Sequence, residues 1–374
     1  MQLDSPLKSL SQDKTNTSSL WLSAKPMLLP TPALDFADEQ TARHSLRDYF
    51  LNTFDTYEQL FECLKHEDAF FIKPINLRHP LIFYFGHTAT FFVNKLLLSK
   101  LNTERLNPHF ESIFAIGVDE MSWDDLDEVH YDWPTVQAVR DYRHQVRALI
   151  LNIVEHAPLN LPLNWHNPWW TLIMGIEHER IHLETSSVLI RQHALEHVHQ
   201  HPQWRANIIT GIAPENSLIA VPEGQVHLQK DFNHPFYGWD NEYGQHEAEV
   251  AAFEAAKYLV SNQEFLAFVE ADGYQTGHYW SEEGLGWLQF SQATHPCFWC
   301  KTELGWSLRL MLEEVPMPWD WPVEVNYHEA KAFCQWKSQQ LEKTIRLPTE
   351  DEWYRLYAVS DLNLDLPSPE QANI

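Results

Sequence analysis

Several things are scarce in this sequence of 374 residues, and each shortage excludes something. Four cysteines (Cys63, Cys297, Cys300 and Cys334) are too few for a disulfide framework in a chain this long and suit a reducing compartment. Basic side chains are few: 26 Lys and Arg stand against 52 Asp and Glu, and the net charge of -26 argues against nucleic-acid backbones and anionic membranes as partners. Any anionic group on a substrate must therefore meet a local arginine. No apolar run approaches the ~18 residues of a membrane span, and residues 1–17 lack the apolar core of a secretory leader, so a cytoplasmic location is expected. No repeat of solenoid period is visible.

What is present is enough apolar material, 44% of the chain, for about two domains that each bury a core. Residues 1–40 are rich in Ser, Thr, Lys and Pro and read as an extended arm. From 41 to 200 the pattern is helical. Leu46, Phe50, Phe54, Tyr57, Phe61 and Leu64 recur at threes and fours, Pro80 opens a second helix from 81 to about 99, and the acidic stretch 119–132 reads as a loop. Asp132 with Pro134 signals a third helix to about 156, and Asn167 with Pro168 a fourth to about 194. Four such helices suggest a bundle, a fold that builds metal sites from inward side chains. A linker at 201–218 follows. From 219 to 374 short segments alternate with aromatics and turn residues, as in an α+β domain whose core rests on large rings, with helices at 261–270 and 327–340.

The chemistry concentrates in His178-Glu179-Arg180-Ile181-His182. Positions four apart on a helix share a face, so His178 and His182 can reach one metal ion. His87, inside the apolar run at 81–93, is the best candidate for a third ligand. Gly175, one turn before His178, should leave open space on the same face. An unpartnered buried imidazole costs roughly 1–3 kcal/mol, so ligation would explain three inward ones together. Three neutral imidazoles leave one position open on zinc and up to three on iron(II). Glu184 points ~200° around the helix from His182 and is excluded as a ligand. Glu177 and Glu179 read as supporting or surface groups.

Taken literally the same five residues are an HExxH pattern, in which Glu179 would be the base of a zinc hydrolase; the metzincin Gly and His are replaced by Thr185 and Val188. A non-catalytic metal-binding protein is the third reading. Arg143, within the apolar stripe of the third helix, needs a carboxylate if it stays inside, and an amino-acid substrate would supply one. Arg140 and Arg147 fall on a neighbouring, solvated face. The Cys297–Cys300 pair lacks matching ligands and reads as structural.

Beyond these residue-level readings, Gly86-His87-Thr88, the stretch EHERIHLETSS at 177–187, and VPEG (221–224), WDNE (239–242) and SNQEF (261–265) resemble the sulfoxide synthases of ergothioneine and ovothiol biosynthesis, especially the 5-histidylcysteine branch. That family joins a DinB-like four-helix bundle to a domain like the formylglycine-generating enzyme (sulfatase-modifying factor), with a C-type-lectin-like fold. WPVEV (321–325), AFCQW (332–336) and RLPTEDEW (346–353) look like signatures of that second domain. The likeness runs from about residue 45 to 357. It implies non-haem iron(II) held by His87, His178 and His182, cysteine bound through its thiolate, histidine beside it, and O2 as co-substrate. The product implied is a carbon–sulfur bond at the imidazole with the sulfur oxidised to a sulfoxide. In the family the second domain continues and supplies a tyrosine near the site. This sequence stops at Ile374, so a truncated chain is expected, with a competent metal site, an incomplete pocket and exposed apolar surface. No acid, base or oligomeric state is assigned.

Overall fold

The structure, a computed structural model, describes residues 28–115, 132–303 and 305–360. The arm before residue 28 and the acidic stretch up to residue 131 lie outside the described residues. Among the described residues four long helices form the first body. α1 (Glu39–Phe61) begins where the Asp38 carboxylate accepts a hydrogen bond from the Thr41 amide, and buries Ala42, Leu46, Tyr49, Phe50, Phe54 and Tyr57 at helical spacing. α2 (Leu81–Leu98) follows Pro80, and every residue from 81 to 90 is buried, the mark of a central helix. In length and mean hydropathy (1.3) α2 does match a membrane span, contrary to the expectation from the sequence. Packing accounts for it: the helices at 136–156 and 170–192 and the short turn at 110–113 lie against it, and 67% of it is inside.

α3 (Phe110–Ile113) is a single turn. α4 (Val136–His156) starts at Thr135, whose hydroxyl accepts from the Ala138 amide, so the cap lies three residues past Asp132. α5 (Trp170–Gln192) is entered through a turn in which the Asn167 side chain accepts from the Trp169 amide.

Among the described residues the second body has seven short strands. β1 (Leu218–Val221) pairs antiparallel with β4 (Phe253–Ala256), and β2 (Gly224–Lys230) with β3 (Gly244–Val250); β5 (Trp299–Thr302), β6 (Gly305–Arg309) and β7 (Glu314–Pro316) form a third antiparallel sheet. Around them lie α6 (Asn262–Glu270), α7 (Glu282–Ser291), α8 (Tyr327–Leu341) and α9 (Glu350–Ala358). Phe265, Phe268, Trp280, Trp299, Phe333 and Trp336 make the core, which therefore does rest on large rings. α7 and α9 expose Phe290 and Trp353.

The two bodies share an apolar seam. Tyr237 packs on Trp170 with centroids 4.9 Å apart, and Tyr243 meets Trp165 at 5.4 Å. At the other end of α5, Arg191 donates to the Arg309 carbonyl at 2.7 Å, pairs with Glu324 and covers the Phe298 ring at 3.7 Å.

Candidate metal centre

His87 sits midway along α2, and His178 and His182 lie one turn apart on α5. Two glycines allow close approach around this group, one between α2 and α5 and one beneath Phe114. A Cβ on Gly175 would fall 2.3 Å from the Phe92 ring, and one on Gly86 2.6 Å from the Phe114 ring. The space expected beside Gly175 is therefore filled, by an aromatic of the partner helix. The Gly86 contact lets Phe114 close over the site so that the His87 Nδ1–H donates to the Phe114 carbonyl at 2.6 Å.

That bond fixes the His87 tautomer: Nε2 carries a lone pair and faces His178 Nε2 at 3.3 Å. The ring centroids are 5.0 Å apart for His87 and His178, 4.8 Å for His87 and His182, and 4.5 Å for His178 and His182. One candidate ligand atom from each lies within 4.8 Å of the other two, and among the described residues this is the one such group of His, Cys, Asp or Glu. Phe91 stacks on His178 at 3.7 Å and 7°, and Phe83 on His87 at 5.2 Å and 14°, which holds the ring planes. Burial, helped by the neighbouring His182 and His87, pushes the His178 pKa well below its usual 6.5. The same causes, burial and then His87, bring His182 down to about 3. These two imidazoles are neutral donors at physiological pH.

A divalent cation fits this group on the structure's own terms. If His178 carries its proton on Nδ1, two lone pairs meet at 3.3 Å in a buried place; if on Nε2, its Nδ1 lone pair is buried without a partner. A cation between the rings converts facing lone pairs into ligands.

Behind the histidines lies a polar layer. Glu179 is fully buried and its Oε1 accepts from Thr88 Oγ1 (3.0 Å) and Arg143 Nη2 (3.0 Å). Burial pushes its carboxyl pKa upward, against the opposing pull of the facing Arg143 guanidinium. Arg143, also fully buried, gives Nη1 to Thr88 and the Phe85 carbonyl and Nε to Glu58. The structure corrects the expectation that Arg143 binds a substrate carboxylate: protein carboxylates occupy its fork and none of it reaches solvent. Sequence reasoning missed Thr88 and Glu58. Thr88 had a signal, since it directly follows His87 as Glu179 directly follows His178; Glu58 had none.

The remaining candidates lie apart. Glu184 is exposed, and Glu177 accepts from the Tyr49 hydroxyl at 2.6 Å. Arg147 pairs with Asp55 on the surface. The four cysteines are unpaired; Cys300 lies in β5 and Cys297 in the turn before it, in the second body.

Comparison with known proteins agrees with both bodies. Residues 49–186 match the DinB superfamily model, and residues 210–360 match the sulfatase-modifying factor enzyme 1-like domain. Ergothioneine biosynthesis protein 1 of Neurospora crassa is 25% identical over 341 residues, covering 82% of this chain and 37% of that protein. The protein of the same name in Schizosaccharomyces pombe is 22% identical over 326 residues, 77% of this chain and 38% of that protein. Hercynine oxygenase of Mycolicibacterium thermoresistibile is 34% identical over 127 residues, 33% of this chain and 26% of that protein. The chain thus spans well under half the length of these curated relatives. Both domain models are thus matched in this order, and over these regions the chain is similar to proteins named for ergothioneine biosynthesis and hercynine oxygenation.

Proposed function

We propose that this chain carries the metal centre of a non-haem iron(II), O2-dependent sulfoxide synthase that joins a thiol sulfur to an imidazole ring. Cysteine is the donor proposed and histidine the acceptor, giving 5-histidylcysteine sulfoxide as in ovothiol biosynthesis. The observation that carries the reading is the convergence of His87, His178 and His182 within 4.8 Å, with two of them held neutral by burial. These three would hold the iron, which would supply affinity for a soft sulfur ligand and reactivity toward O2.

The chain's own residues set the conditions. The Phe114 carbonyl keeps the His87 proton on Nδ1, so that Nε2 remains a donor. Phe91 and Phe83 cover two of the rings and keep water from them. The balance is a thiol, an imidazole C–H and O2 going to a sulfoxide-linked product and water. Forming the C–S bond and oxidising the sulfur remove two electron pairs, and O2 accepts both.

The hydrolase alternative loses its base. Glu179 would have to face a metal-bound water, yet its carboxylate is turned into the polar layer and held by Arg143 and Thr88. The names of the relatives favour a second acceptor, hercynine, within the same chemistry. The unpaired cysteines suit a reducing, cytoplasmic setting, and small molecules rather than nucleic acids or membranes are the proposed partners.

The test is anaerobic loading with iron(II), addition of cysteine with histidine or with hercynine, then exposure to O2 and mass analysis. A coupled sulfoxide from one acceptor, abolished in His87→Ala, supports the reading and selects the substrate. A chain that takes up iron yet yields no coupled product with either acceptor is a metal-binding protein and not this enzyme.

A further inference from the structure

Two bridges join α2 to α5, one residue apart along each helix. The first is His87 with His178; the second is Thr88 with Glu179, a hydrogen bond of 3.0 Å. Arg143 of α4 closes the second bridge, bonding Thr88 Oγ1 and the Phe85 carbonyl of α2 at 2.9 Å each and Glu179 of α5 at 3.0 Å. Its Nε reaches Glu58 of α1 at 2.9 Å, so one guanidinium ties all four helices together. The rings of Phe54 (4.2 Å) and Phe85 (4.9 Å) enclose it.

Stability alone is a poor reason for such an arrangement. Desolvating two charges costs about as much as their attraction returns, and well-packed apolar replacements are often neutral or better. A planar guanidinium whose three nitrogens each bond a different helix gives position instead. The ligand spacing across α2 and α5 is the quantity that the neighbouring bridge controls.

We infer that Arg143 and Glu179, acting through Thr88, are positioning residues that set the distance of His87 from His178 and His182, and with it the metal affinity of the centre. This rests on the reading of the three histidines as metal ligands. Neither residue touches substrate or metal; both act through the helices that carry the ligands.

Cobalt(II) is the probe, titrated into metal-free protein, with its visible absorption reporting coordination and thermal unfolding of the metal-free form reporting stability. Glu179→Gln and Thr88→Val should each weaken cobalt binding, by about 10- to 100-fold for loss of a supporting partner, and alter the absorption band. The double variant Arg143→Met with Glu179→Leu exchanges the ion pair for apolar side chains. It should unfold near the temperature of the unaltered chain and still bind cobalt weakly. Thr88→Val removes a hydroxyl and no charge, so it tests the inference even if Glu179→Gln does not fold. Unaltered affinity and spectrum in Thr88→Val or in the double variant overturns the inference, as does an affinity loss that merely follows lost stability. Failure of the metal reading looks different: His87→Ala would then bind cobalt as tightly as the unaltered chain, and the inference would fall with it.

Discussion

Single side chains do separable work near the centre. The Tyr57 hydroxyl, fully buried, donates to the Tyr84 carbonyl at 3.0 Å and lies 3.1 Å from Ser186 Oγ, tying α1 to α2 and α5 without touching a histidine. Tyr57→Phe should cost roughly 1 kcal/mol of stability, read as a lower melting temperature with cobalt affinity unchanged. The convergence of the three histidines was legible in the sequence because its signal is local: an i,i+4 pair on one helix and an imidazole where only apolar side chains belong. Arg143 was legible as anomalous but not as to its partner. Its carboxylates come from Glu58 and Glu179, 85 and 36 residues away, and nothing in the spacing says that they meet.

Helices reveal themselves by their ends. Pro80 and the Asn167 turn place α2 and α5 within a few residues, because capping is local chemistry. α1 starts earlier than its apolar stripe suggests, since that stripe opens at Leu46 while the Asp38 cap lies eight residues before it. The strands were hidden for the opposite reason: β1 is four residues long and its partner begins 35 residues later, so pairing decides what local pattern cannot.

Gly175→Ala tests the helix spacing at this scale. The new methyl meets Phe92, an overpacking that should cost about 1–3 kcal/mol by thermal unfolding, with part of the loss recovered when Phe92→Leu is added. α9 offers an acid test. Arg346 donates to both Glu352 oxygens and the Thr349 amide to one, holding the carboxyl down at about 2 from its usual 4.5. Its contribution to holding the α9 N-terminus is therefore complete above about pH 4.5 and is lost as pH falls through about 2. A carbon-13 titration of the Glu352 carboxyl should show that depressed midpoint, and Arg346→Gln should return it toward 4.5.

At the scale of the whole molecule the order of two domain types is written in the sequence, whereas the seam between them is not. Trp165, Trp170, Tyr237 and Tyr243 each look like core residues of their own half until the fold lays them together. Charge has its own consequence at this scale. The chain as a whole carries -26, yet the three donors of its centre offer no negative charge to balance a divalent ion. Incoming metal ions are drawn by the surrounding field, while thiolates and carboxylates approach against it until the ion is in place. Rising ionic strength should consequently slow the capture of cobalt(II) and quicken the arrival of an anionic thiol, two opposite slopes that stopped-flow absorbance can read from one protein.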